Sequence, residues 1–171
     1  MTERWDRVVR VTHWAVAFCF LLNRLYVTTP GSIWHQTAGL AIVLLIFVRL
    51  GWGVTAAPAP ARLSAIIPTK KGIIEHLHEL RTRKFPAQLH HNPVGSIGIL
   101  LFWFLLPLVA LSGWGQNTHF IDLYPVDKWH KWLVNTVTVL VCIHIAAVVA
   151  MSFLARKNLL RAMLPGWRSK D

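Results

Sequence analysis

Four histidines carry the chemistry that this sequence offers. His130 and His144 are 14 residues apart. On one helix that spacing is two heptads, so the imidazoles point within about 40° of one another at levels roughly 21 Å apart. His13 and His35 belong to two earlier apolar segments. If those segments run up and down the same bundle, His35 falls at the level of His130 and His13 at that of His144. Four histidines from three helices thus resolve into the pairs His35/His130 and His13/His144. Two facing imidazoles inside a helical bundle suit a six-coordinate haem iron. The chain has no C-x-x-C-H for covalent attachment, so such a haem would be b-type. Two imidazole ligands leave no open iron position, which favours electron transfer over oxygen binding.

A porphyrin between helices needs room and needs cations for its propionates. Gly39 lies four residues after His35, on the same face and one turn deeper, where the lack of a side chain would let a macrocycle approach the backbone. Helix packing alone is the competing reading of Gly39. Ala146 and Ala147 follow His144 in the same way. Arg49, 14 residues after His35, falls near the level of His144, and Arg24, 11 residues after His13, falls towards the level of His130. Both suit propionates, and both could instead snorkel to the membrane surface. His76, His78 and His119 read as surface residues. His90 and His91 read as a turn or a helix cap.

Those histidines need apolar helices to hold them. The chain has 171 residues, 54% hydrophobic and 15% charged, with nine tryptophans. Soluble domains carry about 25% charged residues, so a membrane is the natural solvent. Four spans are expected, at about 11–27, 35–53, 94–115 and 132–155, in a single domain covering 1–171. The third has no charge. The first is interrupted by Asn23 and Arg24, and with no small-residue cleavage pattern after it we read it as a retained helix. The net charge of +11 is distributed unevenly. Fourteen of the 18 Lys and Arg precede span one, lie between spans two and three, or follow span four. Only Lys128 and Lys131 lie on the other side. That asymmetry sets both termini in the cytoplasm and argues for membrane lipid, with no role for nucleic acid. Trp34, Trp114, Trp129 and Trp132 form an aromatic belt at the outer boundary. Pro58 and Pro60 stop span two, and Thr69 to Lys84 reads as an interfacial amphipathic helix with Ile73, Ile74, Leu77 and Leu80 on one side. The fold class is therefore an all-α membrane protein, a four-helix transmembrane bundle. Cys19 and Cys142 both sit in apolar runs. The pattern leaves a disulfide open, with two buried thiols the simpler reading.

Several short motifs add a family resemblance. Trp5-Asp6-Arg7-x-x-Arg10-x-x-His13-Trp14 resembles the opening motif of the bacterial cytochrome b561 family, which is grouped with the b-type cytochrome subunits of nickel–iron hydrogenases. Trp34-His35-x-x-x-Gly39 is similar to its second-helix motif, and His91-Asn92-Pro93-x-Gly95 to the opening of its third. Trp129-His130 with Asn135, then His144, resembles its fourth-helix ligand pair. Asn158-Leu159-Leu160-Arg161-Ala162-Met163 resembles its tail. Lys131 departs from the pattern, since many members have an acidic residue there. The resemblance implies two b haems in the bacterial cytoplasmic (inner) membrane. It implies electron relay between quinone or quinol and a redox partner such as a c-type cytochrome or a hydrogenase. A b-type subunit anchoring a hydrogenase is the nearest alternative. A histidine-lined metal-ion transporter is the alternative from another class, but span three has almost none of the polar positions that an ion path requires.

Overall fold

The computed structural model describes residues 5–25, 27–58, 61–82, 93–116, 126–156 and 158–164. Among the described residues every regular element is helical and there is no strand. The helices are α1 (Arg7–Arg24), α2 (Ile33–Thr55), α3 (Leu63–Ile66), α4 (Lys70–Thr82), α5 (Pro93–Gly115), α6 (Val126–Leu154) and α7 (Leu159–Met163). Three of them, α2, α5 and α6, are long and apolar enough to cross a membrane. With 18 residues and Arg7, Arg10 and Arg24 within it, α1 is not one of these three.

The boundaries follow local chemistry. Asp6 caps α1, its side chain accepting from Val8 N at 3.2 Å. Ser32 caps α2, accepting from His35 N at 3.2 Å. Gly31 just before it takes the left-handed φ of 77° that closes the α1–α2 turn. The fourth expected span starts later in the sequence reading than α6 does. α6 begins at Val126 because the charges at its start favour a helix rather than end one. Asp127 lies in the first turn, where the helix dipole welcomes an anion, and pairs with Lys131 one turn on at 3.6 Å. His130 is therefore helical, as its register with His144 requires. A helix is present where one was expected between spans two and three, as α4; Arg83, Lys84 and the His90–His91–Asn92 turn lie outside the described residues.

In the order of packing, α1 lies on α2, α2 on α5, and α5 on α6. The buried core takes a residue or two from each: Phe20 from α1, Ile42 and Ile46 from α2, Leu106 from α5 and Val137 from α6. Outward faces are apolar and exposed, as at Leu44 and Phe47 of α2, Phe104 and Leu111 of α5, and Val139 and Ile143 of α6. Apolar outside as well as inside is the pattern of helices solvated by lipid, where close packing and polar ties rather than hydrophobic burial hold helices together.

Those ties cluster at the end of the molecule rich in Arg and Lys. Asp6 accepts from Trp52 Nε1 at 2.7 Å, joining the start of α1 to the end of α2. Arg49 is buried there, and its Nη2 donates to Ala61 O at 2.7 Å. This holds the stretch containing Ala57, Ala61 and Ile66, all buried, beneath α2 and α5. After α6, Arg156 takes a left-handed φ of 51° and the chain turns back. Asn158 caps α7, and α7 is pinned across the start of α1 by Trp14 Nε1 donating to Met163 O at 2.8 Å and Arg10 Nη1 to Leu164 O at 3.0 Å.

Asp6 serves two bonds at once, so Asp6→Ala is expected to lower stability by at least the ~1 kcal/mol of a lost helix cap. Thermal unfolding in detergent, followed by far-ultraviolet circular dichroism, checks this. A variant as stable as the parent would mean that neither bond holds the helices together.

Candidate functional site

The two expected histidine pairs are brought together. The ring centroids of His35 and His130 are 6.3 Å apart with planes inclined at 65°. Those of His13 and His144 are also 6.3 Å apart, inclined at 51°. α1 and α2 run antiparallel, so a histidine near the start of α2 and one near the start of α1 face opposite ends of α6. Val137, fully buried, is midway between the two α6 histidines, seven residues or about 10 Å from each. Phe20 lies seven residues after His13, and Ile42 seven after His35. Phe20, Ile42 and Val137 thus lie in a packed layer between the two imidazole pairs, each one such interval from a histidine of its own helix.

Each pair has its own surroundings. At the far end, Ser32 holds the His35 backbone N–H, and Asn23 Nδ2 donates to His35 O at 3.0 Å. His130 Nδ1 donates to Val109 O at 3.1 Å, and Ser112 Oγ stands 3.1 Å from the same nitrogen. Gly113 lies against this ring: a Cβ there would come within 3.0 Å of His130 Cε1. At the basic end, Trp14 meets His13 edge-on at 5.3 Å, and Phe102 meets His144 likewise at 5.9 Å. His144 is exposed between aliphatic neighbours, as are Ala146 and Ala147. An imidazole there faces hydrocarbon unless another group covers it.

The remaining expected residues sort as follows. Gly39 is half-buried, and a Cβ built on it would meet nothing within 4 Å, so open space adjoins the backbone one turn from His35. Arg24 is half-buried, and its Nε donates to Thr138 Oγ1 at 3.0 Å, which links α1 to α6 beside Val137. The guanidinium of Arg49 lies 5.5 Å from the Trp103 ring centroid, and its Nη1 is buried with no partner among the described residues. Gly53 makes room for that nitrogen, since a Cβ would come within 2.8 Å of it. Cys19 and Cys142 are both free thiols, and Cys142 is exposed. His90, His91 and His119 lie outside the described residues.

Sequence reasoning named Asn23 only as an interruption of span one, and did not single out Val109, Ser112, Gly113 or Thr138. The one available signal was a serine beside a glycine inside an otherwise apolar span. Their roles depend on which helix faces His130, and spacing along one strand of sequence does not tell that.

The donor set favours haem over a bare metal ion. Among the described residues no three His, Cys, Asp or Glu side chains gather to hold a metal, whereas imidazoles gather in twos. Two imidazoles bound on opposite sides of one metal, at metal–nitrogen distances of about 2.0–2.1 Å, have ring centroids roughly 6–6.5 Å apart. Both pairs match that separation. Buried Nδ1 atoms of His13 and His35 have no partner among the described residues, so both rings have polar capacity unused by the protein.

The family model for prokaryotic cytochrome b561 matches residues 4–166. The chain belongs to the prokaryotic cytochrome b561 family. It is accordingly a membrane b-type cytochrome of electron transport, and its cofactor is haem b. No curated protein and no solved structure matches the chain.

The open space at Gly39 gives a direct check. In Gly39→Leu the helices should persist by circular dichroism, while haem bound per chain falls below that of the parent, because a large side chain occupies the space beside one imidazole pair. Unchanged haem content would show that Gly39 serves helix packing alone.

Proposed function

We propose that this chain is a dihaem cytochrome that carries electrons across the bacterial cytoplasmic membrane between the quinone pool and a partner redox protein. In this reading residues 1–171 form one domain. α1, α2, α5 and α6 cross the membrane as a four-helix bundle, the basic end lies in the cytoplasm with both termini, and α4 rests in the interface. The observation that carries the proposal is the pair of imidazole pairs, each with rings 6.3 Å apart, at two depths along α6. The charge asymmetry of the sequence supports the orientation.

His35 and His130 would hold one haem near the periplasmic side, and His13 and His144 the other nearer the cytoplasm. When bound, each haem supplies a one-electron iron couple. The protein's own residues do the rest. Each imidazole pair would supply two nitrogen ligands to its iron, which would leave no position for an exogenous ligand and suit electron transfer. Gly39 leaves room beside His35. Arg49, with its unpartnered Nη1, and Arg24 are the cations proposed for propionates. Phe20, Ile42, Ile46, Leu106 and Val137 keep water out of the layer between the two sites. Trp14, edge-on to His13, and Phe102, edge-on to His144, restrict the planes of those rings. A c-type cytochrome or a hydrogenase would meet the bundle at one end, and quinone from the lipid at one of the two sites.

The proposal separates the two sites by mutation. His35→Ala and His144→Ala should each retain about one haem per chain, with different residual spectra. Each should lose quinol-driven reduction of an acceptor enclosed on the opposite side of a proteoliposome. Transfer that survives the loss of either pair would refute a two-site transmembrane path. Loss of both haems in either variant, with the helices intact, would refute separable sites.

A further inference from the structure

α5 contributes no imidazole to either pair, yet it surrounds one of the four rings. His130 Nδ1 is 3.1 Å from Val109 O. A carbonyl oxygen only accepts, so Nδ1 carries the proton and Nε2 is left with its lone pair. Ser112 spends its own proton on Val109 O at 2.9 Å, which turns its oxygen into a second acceptor 3.1 Å from the same Nδ1. Gly113 then closes on the ring face, where an added Cβ would stand 3.0 Å from Cε1 and 3.3 Å from Nδ1. Three residues of one helical turn therefore fix the tautomer of His130 and limit where its plane can lie. His13 and His35 differ: their Nδ1 atoms are buried without a partner among the described residues.

We infer that Val109, Ser112 and Gly113 are positioning residues for His130, and that they lower the reduction potential of the haem held by His35 and His130. The inference rests on the dihaem reading and deepens it. An imidazole whose N–H is bonded to acceptors is the more basic ligand. A more basic ligand stabilises the ferric iron more than the ferrous, which shifts the couple downward. Because the acceptors touch only His130, the effect belongs to one site. It makes the two couples unequal through a residue pattern on a helix that binds neither iron directly, and inequality gives electron flow between them a preferred direction.

The test is a redox titration of the haem-loaded full chain in detergent, followed in the reduced b-type absorbance band, for the parent, Ser112→Ala and Gly113→Ala. Haem per chain is measured on each sample first. With Ser112→Ala, half of the absorbance change should titrate at higher potential and half should stay in place. The expected size is about tenfold in the oxidised-to-reduced ratio, or 59 mV for one electron. Gly113→Ala should displace the ring and perturb the same half. Movement of all the amplitude, of none, or of half of it downward in Ser112→Ala overturns the inference while leaving the two haems standing. A folded parent that binds no haem overturns both the inference and the function on which it rests.

Discussion

An imidazole inside hydrocarbon is costly unless something engages it. α6 carries His144 within its apolar run and His130 near its start, 14 residues apart on one face. Each needs a partner at its own depth, and that requirement organises the rest of the molecule. The antiparallel α1–α2 hairpin meets it, because its two strands of helix present histidines at opposite ends. The rings then approach to the same 6.3 Å in both pairs, although the helices, neighbours and exposures differ. Equal spacing from unequal surroundings is what a common ligand geometry would impose.

Helices holding a large flat cofactor cannot also pack tightly along their whole length. The structure divides these tasks by level. Close packing is concentrated in the cluster of Phe20, Ile42, Ile46, Leu106 and Val137, between the imidazole pairs. Polar ties secure the basic end: Asp6 to Trp52, Arg49 to Ala61, and α7 to the start of α1. At the far end, Asn23 and Ser32 fasten the beginning of α2 around His35. The helices are held above, between and below the sites, which leaves the levels of the imidazoles themselves free for a ligand. The exposed run around His144 and the open space at Gly39 are both at those levels.

The sequence made the pairing legible because a two-heptad spacing places His130 and His144 on one face whatever the packing around them. It also located α2 and α5 to within a residue or two, since their apolar runs are long and bounded by Ser32 and Pro93. α6 was harder: Asp127, Lys128 and Lys131 look like a loop by hydropathy, yet the helix dipole and an i,i+4 pair extend the helix through them. Arg49 looked from spacing like a cation for a carboxylate. One of its nitrogens is committed to Ala61 O, a contact made by a segment that no periodicity predicts. The cradle of Val109, Ser112 and Gly113 was invisible because it depends on the rotation of α5 about its axis. An almost uniformly apolar helix carries no amphipathic signal to set that rotation.

The central claim is that this chain holds two haems, one for each imidazole pair. Native mass spectrometry of the detergent-purified protein, from cells supplied with haem, tests it most directly, with a pyridine haemochrome assay to identify the haem type. The account predicts a chain carrying two non-covalent b haems. A folded chain saturated with one haem, or with none, would contradict it.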